Sequence, residues 1–341
     1  MLGRRGRSLV AIATLAAGVS VVGPVGHAAA DSPATCRDYR VPVSSLPGTG
    51  NAGEHHIAGT LCMPAGRSPD TVQLLIPGGT YNHTYWDFPV PGYSYARAAA
   101  ARGQATFNID RFNTGRSSDL PPALVTVDVD AAAVHQVIEA LRAGGVGGVR
   151  FSRVVTVGHS VGSMVAIQEA ATYHDVDGLI LSAFTNYPSA DLLAGLATFQ
   201  LLVPARNEPL GEMTTAPGAR GPWFHAEDNA DQAVIAKDEA TKDTITASEM
   251  ATMSVPMLTL PTNLITAPVL IANGQHDRVF ACVTRPCDDT AMLRRTEVPR
   301  FTSAASLDAF VLPGAGHSVN LARNRDEFFD VATAWVERHV G

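Results

Sequence analysis

Gly158-His159-Ser160-Val161-Gly162 is the stretch whose residue types and spacing point most directly to chemistry. It follows the apolar run Val154-Val155-Thr156-Val157 and precedes Ser163-Met164-Val165-Ala166-Ile167, which reads as strand, tight turn, helix. A serine on such a turn is held in a strained backbone and pushed out above the end of a sheet, and the flanking glycines avoid collisions with neighbouring elements. A serine hydroxyl is a poor nucleophile unless a base removes its proton, and that base must itself be oriented by a third group. Two later turns supply the types required. The apolar run Val269–Ala272 leads into Asn273-Gly274-Gln275-His276-Asp277, and Phe310–Leu312 leads into Pro313-Gly314-Ala315-Gly316-His317. Ser160, Asp277 and His317 are therefore the candidate nucleophile, acid and base, in that chain order.

Each of these types also has a bland use. A lone Asp after a strand is commonly a turn former or a helix cap, and a lone His in a Gly-rich turn is commonly a surface residue. The three together, each on the turn after an apolar strand, carry the assignment. Asp288 and Asp289 are rival acids that fall beyond the turn, and His276 reads as a turn residue. His159 holds the variable place of the turn and is expected to pack near the sheet edge, aimed away from Ser160. His55 and His56 alternate on a strand and so cannot share a face, which argues against a metal site. Tyr81, Trp86 and Phe88, with His83, lie in an aromatic-rich loop that is expected to wall a substrate pocket; the alternative is a self-packed surface loop. Met213, Trp223, Phe224, Met250, Met253 and Met257 can serve as an apolar lid or as the core of their own segment.

The elements that must position these residues follow from the apolar periodicity. A hairpin or meander is expected over residues 36–62, then strands at Val72–Ile76, Ala105–Ile109, Val154–Val157, Leu179–Leu181, Val269–Ala272 and Phe310–Leu312. Helices are expected at Tyr95–Arg102, Val129–Leu141 and Glu327–Val340; in the second, Val134, Val137, Ile138 and Leu141 share one face. Such alternation implies an α/β fold with a mostly parallel sheet covered on both faces. Residues 185–265 interrupt it with polar, Pro/Gly-punctuated sequence too long for a simple connection. The reading is an inserted helical cap, including a helix over Asp231–Thr241, between two parts of one core domain, 31–184 and 266–341.

On these motifs the chain resembles the α/β-hydrolase superfamily over about residues 55–341. The resemblance rests on Pro77-Gly78-Gly79, on Asp110-Arg111-Phe112-Asn113-Thr114-Gly115-Arg116-Ser117, on the turn at Ser160, and on the Asp277 and His317 turns. It is most similar to secreted bacterial esterase/lipase-type members with a cap. The resemblance implies the α/β-hydrolase fold, with oxyanion stabilisation by the N–H of Val161 and a second N–H at Gly79 or Thr80. Family members often carry His-Gly where this chain has Pro77-Gly78, so the loop is tethered differently here.

Composition bounds the remaining possibilities. The 341 residues are 46% hydrophobic and 17% charged, enough apolar sequence for a sizeable core. Arg4, Arg5 and Arg7, an apolar run from Leu9 to about Val22, and Ala28-Ala29-Ala30 read as a secretory signal peptide over residues 1–30, cleaved near Ala30. The run is short for a membrane span, so no stable membrane anchor is expected; the Arg4-Arg5 pair leaves twin-arginine export open beside ordinary secretion. Cleavage takes the formal charge from −7 to −10, and no basic stretch remains to follow a phosphate backbone, so nucleic acid is not expected as a partner. Lysine occurs only at 237 and 242 amid abundant Arg, Ala and Gly, the coding bias of a GC-rich bacterium such as an actinomycete. Cys36, Cys62, Cys282 and Cys287 in an exported chain suggest two disulfides. Of three possible pairings, Cys36–Cys62 and Cys282–Cys287 are favoured, with free thiols as the alternative; the spacing is not that of a zinc site.

The expectation is a secreted serine hydrolase acting on a small-molecule carboxylic ester, with no cofactor or metal. Amide or lactone hydrolysis, including cyclic lipopeptide or macrolide-type substrates, and acyl transfer fit the same triad. A non-catalytic binding protein on this fold is a further alternative, usually marked by loss of a triad member. A dehalogenase would need aspartate in place of Ser160.

Overall fold

The computed structural model describes residues 34–45, 54–187, 189–198, 200–205, 211–254, 261–280 and 289–341. The expected signal peptide, Met257, Cys282, Cys287 and the rival acid Asp288 lie outside the described residues.

Eight strands form the main sheet: β1 (Thr35–Val43), β2 (His55–Met63), β3 (Thr71–Ile76), β4 (Ala105–Ile109), β5 (Arg153–His159), β6 (Gly178–Ser182), β10 (Val269–Gly274) and β11 (Leu307–Leu312), in the order β1-β2-β4-β3-β5-β6-β10-β11. The two pairings at the N-terminal edge are antiparallel and all others are parallel. The sheet is thus the mostly parallel one expected, and its central strands read as continuous apolar runs because helices cover both faces. Helices α2 (Val127–Ala143) and α3 (Val161–Tyr173) pack together on one face. Helix α1 (Tyr95–Ala101) packs against the C-terminal helix Arg325–His339.

Helix α2 shows how local sequence sets these elements. Thr126 caps its start, the side-chain oxygen accepting from Val129 N at 3.2 Å. Gly144 ends it in the left-handed region at φ 82°. Between them, Val134, Val137, Ile138 and Leu141 are all buried, as their spacing requires.

After β3 the chain moves to one side to make β4, then crosses to the other side to make β5. The sheet therefore has its topological switch between β3 and β5, where loops diverge and leave a crevice beyond the strand ends. The turns that follow these two strands are Pro77-Gly78-Gly79 and the one bearing Ser160.

Between β6 and β10 lies the interruption expected over 185–265. It is mixed rather than purely helical. It holds α4 (Ala190–Ala197), α5 (Arg220–Phe224), α6 (Gln232–Ala240) and α7 (Ala247–Ser254), with a three-stranded antiparallel sheet of β7 (Leu202–Pro204), β8 (Glu212–Thr215) and β9 (Ile245–Thr246). Strands of two to four residues are too short to show a period in the sequence. No helix among the described residues is long and apolar enough to cross a membrane.

Cys36 and Cys62 are directly opposed across β1 and β2 and joined by a disulfide, which ties the edge strand β1 to its neighbour β2. The closed loop spans 26 residues, so the bond is expected to add about 3 kcal/mol by restricting the unfolded chain. A Cys36→Ser/Cys62→Ser variant should lose stability of that order in urea unfolding, while retaining the far-UV spectrum of the parent.

Candidate active site

Ser160 sits at φ 53° and ψ −117°, between the end of β5 and the start of α3. A non-glycine residue there is strained and persists only where its surroundings hold it. The two flanking glycines permit that hold. A Cβ on Gly158 would lie 2.5 Å from Gly162 O and Ser163 Cα, and one on Gly162 would lie 2.7 Å from Pro77 O on the adjacent turn. The Ser160 N–H is fixed by the Ser182 carbonyl at 2.9 Å. Val161 begins α3, where backbone N–H groups lack helical partners.

Asp277 and His317 follow the adjacent strands β10 and β11, and the structure brings them together. His317 Nδ1 is 3.0 Å from Asp277 Oδ2. The other oxygen, Asp277 Oδ1, accepts from the N–H groups of Val279 and Phe280 at 2.8 and 3.0 Å, which fixes the carboxylate plane. Both residues are buried. His317 and Ser160 line one cavity. Of the rival residues, Asp289 caps the helix Thr290–Glu297 through Met292 N at 2.7 Å, and His276 is an exposed turn residue. A hydroxyl on a strained turn and an imidazole thus face one cavity, with a buried carboxylate behind the imidazole, a set that can act as nucleophile, base and orienting acid.

The remaining cavity wall comes from Gly79, Thr80 and Val161 and from Leu192, Leu201, Leu202, Phe224, Ile245, Met250, Met253, Val279 and Phe280. His317 is its one ionisable residue. The free space is small, about 40 Å³. Phe224, Met250 and Met253 face it as lid residues would, whereas Trp223 packs beneath the Arg278 guanidinium, 4.9 Å from the ring centre.

Tyr81, Trp86 and Phe88 do not line this cavity. They are buried, and Tyr81 and Trp86 belong to an aromatic pack around His159. His159 is not at a sheet edge, since β5 is a central strand. Its ring stacks on Tyr85 at 4.1 Å and lies 4.9 Å from the His317 ring. Burial, with a smaller contribution from the charges of His317 and Arg220, lowers its pKa well below the ordinary histidine value, which favours its neutral form beside His317. His83 and His56 hold loops: His83 Nδ1 meets Asp110 Oδ1 at 2.7 Å, and His56 Nε2 meets the Arg116 carbonyl at 3.0 Å.

Two buried arginines hold the turn that carries Gly79. Arg111 donates to the carbonyls of Pro77 and Gly78 at 3.2 Å each. It also pairs with Asp130 of α2 and with Glu249 of α7. Glu249 closes a capping box with Thr246: its Oε2 accepts from Thr246 N at 2.8 Å while Thr246 Oγ1 accepts from Glu249 N at 3.0 Å. Burial pushes the Asp130 carboxyl up to about 6, and Arg111 pulls against that shift. Arg220, from α5, donates to the Thr80 carbonyl at 3.2 Å and to Asp238 Oδ1 at 3.0 Å, and its guanidinium lies 4.0 Å over the Tyr81 ring. Thr80 itself is left-handed at φ 60°, and its N–H is taken by the Thr244 carbonyl at 3.3 Å. Of Gly79 and Thr80, Gly79 is thus the one whose N–H no backbone bond engages among the described residues. Arg111 lies in the Asp110–Ser117 motif, whose sequence gives no hint of its role, and nothing local marks Asp238 either. An arginine among the apolar Trp223 and Phe224 was the available signal for Arg220.

Asp238 joins Arg220 to His225 Nε2 at 2.9 Å and to the Tyr81 hydroxyl, which in turn lies 2.7 Å from Ser318 Oγ, next to His317. Burial works against a charge on Asp238, but Arg220 and His225 outweigh it and bring its pKa to about 2. Against the ordinary value of 3.8, this contributes about 2 kcal/mol that is present above pH 4 and lost as pH falls toward 2. Asp238→Asn leaves Arg220 buried without its counter-charge and is expected to cost about 3–5 kcal/mol. Urea unfolding at pH 7 and at pH 3 should show the difference between parent and variant shrinking in acid.

Comparison with known proteins places the chain. The alpha/beta hydrolase family model matches residues 73–331. No curated protein matches in sequence. Among solved structures, a thermophilic esterase from Thermogutta terrifontis aligns with TM-score 0.59 and 18% identity, over 89% of this chain and all of that one. A monoacylglycerol lipase from Paleococcus ferrophilus aligns with TM-score 0.57 and 17% identity, over 84% of this chain and 99% of that one. A thioesterase domain of the curacin biosynthetic pathway gives 0.53 and 16%, over 87% and 99%. At these identities the structural likenesses speak to the fold alone, but the family match covers most of the sequence, and the chain belongs to the alpha/beta hydrolase family.

Proposed function

We propose that the protein is a secreted serine hydrolase that cleaves carboxylic esters with a small apolar acyl group. The observation that carries this reading is the 3.0 Å bond from buried Asp277 to His317, which shares a cavity with the strained Ser160. Ser160 Oγ attacks the ester carbonyl as His317 takes its proton. Asp277 holds the imidazole in the tautomer that carries its proton on Nδ1, and stabilises the imidazolium that forms. The N–H groups of Val161 and Gly79 donate to the tetrahedral oxyanion. Collapse expels the alcohol, which takes its proton from His317. Water then attacks the acyl-enzyme with His317 as base, releasing the acid and restoring Ser160.

The wall supports the substrate class. Aliphatic and aromatic side chains surround Ser160 with no fixed charge to meet a charged acyl group. The free space of about 40 Å³ holds only a few waters, so long chains require side chains to move. The signal-like N-terminus and the Cys36–Cys62 disulfide support export to an oxidising compartment.

Fluorophosphonate labelling of the mature protein should give a single adduct that is absent from Ser160→Ala. Ester turnover should fall by about 10⁶-fold in Ser160→Ala or His317→Ala, and by about 10⁴-fold in Asp277→Asn, where the tautomer is lost. Full turnover by Ser160→Ala would sink the proposal. With p-nitrophenyl esters, kcat/KM should be highest for acetate to butyrate and fall toward palmitate. Met253→Ala, which enlarges the cavity, should shift the optimum to longer chains.

A further inference from the structure

The far end of the helix that begins at Ser160 carries a second cluster of chemistry-bearing side chains. Glu169 lies in α3, about 13 Å along the helix from the nucleophile at 1.5 Å per residue. His174 ends that helix in the left-handed region at φ 55°, which turns the chain back so that Asp175 meets α2. There His135 Nδ1 lies 2.8 Å from Asp175 Oδ2 and 3.8 Å from Glu169 Oε1. One ligand atom from each of the three residues falls within 4.8 Å of the others.

The hydrogen bonding of this cluster is incomplete. The Glu169 side chain is fully buried, and among the described residues neither of its oxygens has a hydrogen-bond partner; Asp175 Oδ1 is buried without one as well. Buried carboxylate oxygens without donors are costly, and a paired or metal-coordinating role is the usual resolution. The nearest guanidinium does not supply that role, because Arg142 donates to Asp177 Oδ2 at 2.7 Å and to the Asp175 main-chain carbonyl at 2.6 Å. Meanwhile the His135 ring is already oriented, stacked on Tyr173 at 3.8 Å and 5°.

We propose that His135, Glu169 and Asp175 form a structural site for a divalent cation of the zinc type, bridging α2 and α3 away from the catalytic cavity. One imidazole and two carboxylates suit zinc better than calcium or magnesium, which favour all-oxygen sets. Zinc bonds of about 2.0–2.2 Å in a tetrahedron put ligand atoms about 3.3–3.6 Å apart. The His135 separations of 2.8 and 3.8 Å bracket that spacing, and all three ligand atoms lie within 4.8 Å of one another, so side-chain adjustment completes the site, with solvent as the remaining ligand. The cation neutralises two crowded carboxylates and links α3 to its neighbouring helix. It takes no part in ester cleavage, and the proposal stands whether or not that reading of the active site holds.

The test is calorimetric titration of chelator-treated mature protein with zinc chloride, beside magnesium chloride. The expected result is one zinc per chain, a raised thermal midpoint with zinc, and no comparable response to magnesium. Loss of an outer partner of a metal site typically costs 10–100-fold in affinity, so Glu169→Gln, which removes a ligand, should weaken zinc binding at least about tenfold. Asp175→Asn, at a half-buried position, provides the same test should Glu169→Gln fail to fold. Absence of stoichiometric zinc binding in the parent would overturn the proposal and leave a shared proton as the resolution of the buried carboxylates. Equal zinc affinity in parent and variants would overturn it too, by placing the metal elsewhere.

Discussion

The geometry of the cavity depends on how the turn at residues 77–80 is held. This turn has to approach Ser160 closely, present a free N–H at Gly79, and keep Thr80 in a left-handed conformation. Nothing in its own sequence enforces all three. Arg111 holds its first carbonyls from the core side, while Arg220, Asp243 and Thr244 hold Thr80 from the inserted segment. A buried guanidinium suits such a task because its donors are fixed in a plane and its charge is permanent. The same permanence demands counter-charges, and Asp130, Glu249 and Asp238 supply them. Across the Pro77-Gly78-Gly79-Thr80 turn, the two arginines thus do the tethering.

The second constraint is electrostatic neutrality around the imidazole. On the proposed reading, His317 gains and loses a proton in a site largely closed to water. Asp277 is the acceptor built for it, with one oxygen on His317 and the other on two backbone N–H groups. Nearby His159 is kept from titrating by its aromatic surroundings. Arg220, close enough to influence His159, has its charge answered by Asp238. A protonated His317 is thus opposed by no second mobile charge.

The candidate site's Ser160, Asp277 and His317, which the fold brings together, were legible because each announces itself locally. Ser160, Asp277 and His317 each follow an apolar strand, and glycines flank the serine where two backbones come within contact distance. The sheet followed from strand-helix alternation, and the apolar face of α2 from its spacing. What was illegible depends on partners far apart in sequence. Arg220 finds Thr80 and Tyr81 some 140 residues upstream, and no local pattern predicts that. Tyr81, Trp86 and Phe88 were placed in the right loop but on the wrong side of it, because aromatic composition shows that a loop will be packed, not which surface it packs against. The small sheet of the insertion was missed because two- to four-residue strands carry no periodicity.

The Arg220–Asp238 pair has a bearing on how a hydrolase fold of this kind can diversify. Both members reside in the insertion, yet their bonds end on Thr80, Tyr81 and, through Tyr81, Ser318 in the surrounding core. An exchange of this segment with that of a relative would therefore carry away part of the scaffold of the reaction centre, not just a substrate-facing cover. Viable chimeras would have to import a cation at the same depth with its own counter-ion, or rebuild the turn so that neither is needed. Specificity in this lineage is thus freer to drift through the apolar wall residues than through wholesale replacement of the segment that carries them.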